Sequence, residues 1–173
     1  MNKYLAISIA CFAFLCVLSP AQSRATEALA VPTGKVVLTV GGQVTLPNAG
    51  KVTTFDMAML DALPQVTMVT HTPWDGSAVV TFRGPLIRDI LAAAGASGTK
   101  ARVIALNDYA VMIPASDFNE DGVILATKRN GQRMAIRDKG PLWVIYPLAD
   151  RPDLDVYGTY AKMAWQVKAI DVE

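Results

Sequence analysis

The chain carries one histidine, His71, and it stands in the stretch THTPWDGSAVVTFRGPLIRDIL that runs from Thr70 to Leu91. An imidazole there could transfer a proton, respond to pH or ligate a metal. A lone histidine without cysteine partners makes a poor metal site, and a hydrogen-bonded ring beside the core is the commoner role. Trp74 precedes the Asp75-Gly76 turn signal. An indole on a loop offers a ligand a flat apolar face with a polar handle, or else it caps the core. Lys128, Arg129, Arg133, Arg137 and Lys139 crowd one hairpin beside a single acid, Asp138. Arg129, Arg133 and Lys139 are the candidate contacts for an anionic ligand or partner, against the commoner alternative of a solvated hairpin. Met57, Met59 and Met68 read as core filler rather than as a metal-binding set. No Gly-rich phosphate loop, Ser-His-Asp arrangement or paired-carboxylate signature stands out.

The elements that must hold these residues follow from pattern. Lys35 to Val40 is β-branched and apolar, and Gly41-Gly42-Gln43 is expected to turn it into Val44-Thr45-Leu46 as a hairpin. Thr54 is the expected cap of a helix from Phe55 to Leu63. Alternation from Val66 to Thr72 predicts a strand with Val66, Met68 and Thr70 on one face and Thr67, Val69 and His71 on the other. A short strand from Ala78 to Phe82 follows. Gly84-Pro85 then opens a helix, with Leu86, Ile87, Ile90, Leu91 and Ala94 as its buried stripe and Gly95 as its terminator. Strands at Arg102 to Leu106 and Tyr109 to Ile113 flank Asn107-Asp108, and Ser116 to Asp121 is a short helical segment. Val123 to Lys128 and Arg133 to Arg137 flank Asn130-Gly131, and Asp138-Lys139-Gly140 turns again. Leu142 to Tyr146 is a buried strand, Asp150 to Asp155 a polar loop, and Lys162 to Val172 the closing strand. Many short strands with two or three short helices predict an α+β domain with a mixed or barrel-like sheet.

The 173 residues suit one domain, and 52% hydrophobic against 18% charged content supports a real core. Residues 1–25 read as a secretory signal, 26–34 as a loose leader and 35–173 as the domain. Lys3 starts the signal, Tyr4 to Leu18 is apolar and too short for a membrane span, and Ser23-Arg24-Ala25 offers a cleavage site. Cleavage after Ala21 is the second choice, and Leu15 before Cys16 is too large for lipoprotein processing. Cleavage removes Cys11 and Cys16, so the mature chain is expected to have no disulfide and no thiolate. It then carries 14 basic against 15 acidic residues, which points to no nucleic acid and to no stable membrane insertion. The expected address is the periplasm of a Gram-negative cell.

The order of four segments is more specific than any one of them. FRGPLIRDILAAAGA, ALNDYAVMIPASDF, VILATKRNGQRMAIRDKGPLWVIYP and KMAWQVKAI resemble, in sequence and spacing, successive segments of the sulfite-oxidase-like molybdopterin-binding domain family. The resemblance spans about Val36 to Val172 and implies that family's fold. It also implies that Asp108-Tyr109 borders the pterin site, although Asp108 is equally a turn residue.

The departures from the family bear on function. The resemblance implies a molybdenum-ligating cysteine on the strand before the first helix segment, but the chain there reads Met68-Val69-Thr70-His71-Thr72. A hydroxyl or an imidazole is a poor replacement for a soft thiolate. The family's arginine after Pro-Leu is Trp143. The n-region has no arginine pair, as export of a folded cofactor-loaded enzyme would need. The reading is therefore a cofactor-free relative, a small-ligand-binding or accessory module whose cleft is formed by Thr70, His71, Trp74, Asp108 and Tyr109. The alternatives are a molybdopterin-dependent oxidoreductase ligating through Thr70 or His71, and an interaction or signalling partner of another envelope protein.

Overall fold

The computed structural model describes residues 29–76 and 78–173. The expected signal peptide and both cysteines lie outside the described residues. The elements run β1 Val36–Gly42, β2 Thr53–Asp56, α1 Met57–Ala62, β3 Gln65–Thr70, β4 Val80–Pro85, α2 Ile87–Ala93, β5 Lys100–Ala105, β6 Ala110–Pro114 and α3 Ala115–Glu120. They continue with β7 Ile124–Ala126, β8 Lys128–Arg129, β9 Gln132–Arg133, β10 Trp143–Ile145, α4 Tyr157–Lys162 and β11 Val167–Val172. Single 3-10 turns lie at Ile136–Asp138 and Pro152–Leu154. The fold is α+β with mixed pairing, as expected. The strands form three open sheets rather than a barrel: β2-β1-β11-β5-β6, β3-β4-β8-β9 and β10-β7. There are four short α-helices among the described residues rather than two or three.

Backbone approach explains where local pattern misled. Gly41-Gly42 makes no hairpin. Instead β1 runs parallel to β11, and a Cβ on Gly42 would stand 2.0 Å from the Val172 carbonyl oxygen. Gly84-Pro85 ends β4 instead of opening α2, because Gly84 lets the backbone of β7 cross at Leu125, whose carbonyl oxygen would lie 2.0 Å from a Cβ. The run from Val123 to Lys128 is split at Thr127, so that β7 pairs with β10 while β8 pairs with β4. The strand expected at Arg133 to Arg137 stops at Arg133. Beyond it Asp138 N–H and Gly140 N–H both turn back to the Ala135 carbonyl, at 2.9 and 2.8 Å.

Phe55 is a fully buried strand residue, and the helix cap is Asp56 rather than Thr54. The Asp56 carboxylate accepts from Met59 N–H at 2.9 Å, and from Gly34 N–H at 2.7 Å and Thr33 N–H at 3.1 Å. It so fastens the start of α1 to the chain entering β1. These amide donors, Met59 first, hold its carboxyl below the usual carboxylate range. Other expectations hold. In β3, Met68 and Thr70 are buried while Thr67 and Val69 are exposed. Ile87, Ile90 and Ala94 of the α2 stripe are buried, and Gly95 takes the left-handed conformation that ends the helix.

The element that pattern missed is α4. Its sequence YGTYAK contains Gly158 and Thr159, is six residues long and has no side-chain cap, so it has little intrinsic helical stability. Tertiary contacts hold it. Lys162 Nζ donates to Asp117 at 2.7 Å, and the buried Tyr146 hydroxyl donates to the same carboxylate oxygen at 2.8 Å. Burial first, and then the bond to Asp117, push the Tyr146 phenol far above its ordinary range, so it remains a donor. Asp117→Ala leaves both groups unpaired. We expect a loss of about 3 kcal/mol in urea unfolding, against about 1 kcal/mol for Tyr146→Phe, which removes only one neutral partner.

Candidate functional site

The three tryptophans gather at one place. Trp143 opens β10, is fully buried, and donates its indole N–H to the Met163 carbonyl at 3.0 Å. Phe82 meets it edge-on at 5.4 Å between ring centroids, Trp165 at 6.4 Å, and Trp74 lies tilted at 6.0 Å. Trp74 and Trp165 are edge-to-face at 4.9 Å. Such edge-to-face pairs set the positive rim of one ring against the negative face of another. Trp74 is 40% exposed and forms the outer rim. Its turn is fixed by Asp75, which accepts from the Thr72 hydroxyl at 2.8 Å and from Arg129 at 2.6 Å.

Beside this cluster lies a cleft of ≈ 370 Å³. Its walls are Trp74, Trp165, Tyr109, Tyr157 and Tyr160, with Asn107, Ala105, Ala161, Met163 and Ala164 completing the lining. Among the described residues no charged side chain lines it. The β5–β6 hairpin supplies Asn107 and Tyr109, and α4 with the residues after it supplies most of the rest. The Tyr109 hydroxyl donates to the Ala161 carbonyl at 2.8 Å, which ties hairpin to helix.

The candidate residues have diverse placements. Trp74 and Tyr109 line the cleft. His71 follows the end of β3, half-buried, with Nε2 3.1 Å from Asp155 Oδ2. Asp155 Oδ1 accepts from the Tyr160 hydroxyl at 2.6 Å, so His71 reaches the cleft wall through a carboxylate. Thr70 is buried, and its hydroxyl accepts from Ala149 N–H at 3.1 Å. Asp108 is not a lining residue. It is an exposed turn residue at φ 66° paired with Lys168 at 2.6 Å, and that bond lowers its carboxyl below the ordinary value. Arg129 braces the Trp74 turn from behind, and Arg133 pairs with Asp61. Lys139 takes φ 67° and rests its ammonium 5.3 Å from the Trp143 centroid and 5.8 Å from that of Trp165. Among the described residues no three His, Cys, Asp or Glu side chains gather as a metal site. Pattern reading missed Asn107, Asp155, Tyr157, Tyr160 and Trp165. The available signal was the density of aromatics in VYGTYAKMAW, Val156 to Trp165.

The model of the oxidoreductase molybdopterin binding domain matches residues 30–149. The chain belongs to that family. Among solved structures, it is similar to the sulfane dehydrogenase SoxCD from Paracoccus pantotrophus, with a TM-score of 0.58 and 17% identity. The likeness covers 84% of this chain and 40% of that one, so it is one of fold, and this molybdopterin-domain chain spans less than half of the other's length. No curated protein sequence matches it. Among the described residues no helix is long and apolar enough to cross a membrane.

The Tyr160 hydroxyl, and after it His71, hold the Asp155 carboxyl below its ordinary value of 3.8. A depressed folded value means that this contribution is present above the unfolded pKa and is lost as pH falls through the folded one. Hydrogen exchange of the α4 amides, referenced to β5, should therefore speed up on acidification below about pH 4. In Asp155→Asn it should be fast throughout and lack that acid step.

Proposed function

We propose that this chain is an exported, cofactor-free member of the molybdopterin-binding-domain family that holds a small molecule in the aromatic cleft. The observation that carries the reading is the state of the groups a molybdenum-pterin would need. In the stretch Met68 to Thr72, where the resemblance puts the ligating thiolate, no cysteine stands, and the buried Thr70 hydroxyl is engaged by Ala149 N–H. Where it puts an arginine, the Trp143 indole is fully buried in an aromatic cluster. Arg129 and Arg133 are paired with Asp75 and Asp61, with the buried Arg129 Nε left without a hydrogen-bond partner. This donor set lacks the thiolate that the family's metal takes. What is open to a ligand instead is an uncharged aromatic wall.

In this reading α4 and the Trp74 turn act as the two jaws. The Arg129–Asp75–Thr72 network holds one jaw and the His71–Asp155–Tyr160 chain the other. The signal-like N-terminus supports periplasmic delivery of an unfolded chain, which would arrive without a preinserted cofactor.

The family membership favours the competing reading, a molybdopterin-dependent oxidoreductase with non-cysteine ligation. Molybdenum and pterin content decides between them, measured on protein purified from its own host grown with ample molybdate. We expect neither above trace. Near-stoichiometric amounts of both would establish the oxidoreductase.

A further inference from the structure

The cleft has a chemistry more specific than apolar. Five aromatic side chains face it, from the Trp74 turn, the β5–β6 hairpin, α4 and the segment after α4. Two of their hydroxyls are committed as donors: Tyr109 to the Ala161 carbonyl at 2.8 Å, and Tyr160 to the Asp155 carboxylate at 2.6 Å. A phenol that donates its proton to an anion carries more electron density on its ring, and the negative ring face is what attracts a cation.

The surrounding charges lean the same way. Three basic groups near the cleft are held by carboxylates, Lys168 by Asp108, Lys162 by Asp117 and His71 by Asp155, while Lys139 is held by indoles. Among the described residues no Lys or Arg lines the cleft, so an anion would find no charged donor among them. The indoles already hold one cation, since Lys139 Nζ stands 5.3 Å and 5.8 Å from the Trp143 and Trp165 centroids without being a lining residue. The volume of ≈ 370 Å³ suits a small organic molecule rather than a polymer.

We infer that the ligand of this cleft is an organic cation with a methylated ammonium head, recognised by the ring faces of Trp74, Tyr109, Tyr157, Tyr160 and Trp165. The inference rests on the ligand-binding reading above. A methylated ammonium buries its methyl groups against the rings and keeps its charge without requiring hydrogen bonds. The apolar floor of Ala105, Ala161, Met163 and Ala164 offers few partners to the many hydroxyls of a sugar.

The test uses the folded full-length mature chain and follows tryptophan fluorescence, because Trp74 and Trp165 stand in the wall. The probes are choline and its neutral isostere, in which carbon replaces the nitrogen. Choline should bind about tenfold more tightly than the isostere, as a cation–ring contribution of the usual size implies. Tyr157 is 86% exposed, so replacing it leaves the core intact. Tyr157→Phe should keep choline affinity and Tyr157→Ala should weaken it several-fold. Equal affinity for choline and the isostere would overturn the cation assignment and leave the cleft a binding site of apolar preference. No fluorescence response to either, in a chain that melts cooperatively, would overturn the ligand class too. The cofactor-free reading would fail separately, by the metal and pterin content.

Discussion

A buried indole is the constraint on which the site depends. Trp143 lies in the two-stranded sheet with β7, is fully buried, and directs its one polar atom to the Met163 carbonyl. An unpaired indole N–H in that setting would be costly, so the Met163 backbone must stay where it is. Met163 directly follows α4, and Trp165 bridges back to Trp143 across the same turn. One side chain therefore fixes the chain that builds most of the cleft wall. It also supplies the surface against which Trp74 and Lys139 rest. A charged side chain of arginine length in its place would bring a desolvated charge into the aromatic cluster.

The second constraint is electrostatic and local. Lys168 and Lys162 beside the site are paired with Asp108 and Asp117, Lys139 rests on the indoles instead, and two carboxylates, Asp117 and Asp155, bond to α4. A helix too short and too poor in helix formers to stand alone is thereby fastened through Tyr160 and Lys162. The left-handed residues Lys139 and Gln166 are coupled in the same way. Gln166 N–H donates to the Lys139 carbonyl at 3.2 Å, and the Gln166 side-chain amide donates to the Ile136 carbonyl at 2.7 Å. Two strained backbone positions persist because each is held by the other's neighbourhood, and they flank the two indoles that carry the Lys139 ammonium.

Much of the fold was legible in the sequence. The alternation of β3, the α2 stripe ending at Gly95 and the turn at Asn107-Asp108 depend on contacts within a few residues, and pattern captures these. Gly42 and Gly84 were misread because their reason is a distant backbone, β11 in one case and β7 in the other. The cleft was half legible. Trp74 and Tyr109 stood on recognisable turns, whereas Tyr157 and Tyr160 lie on a helix that only tertiary contacts create. The basic hairpin suggested an anion site because its acidic partners, Asp61 and Asp75, are more than fifty residues away in sequence. Family resemblance located the fold, and the residues that depart from it, Thr70 and Trp143, direct the functional reading elsewhere.

The central claim is that the domain has exchanged a cofactor socket for an aromatic ligand cleft. Native mass spectrometry of the protein purified gently from its own host tests it most directly. The account predicts the polypeptide alone or with one small organic adduct that is lost on mild activation. A stable added mass equal to a molybdenum-bearing pterin would contradict it.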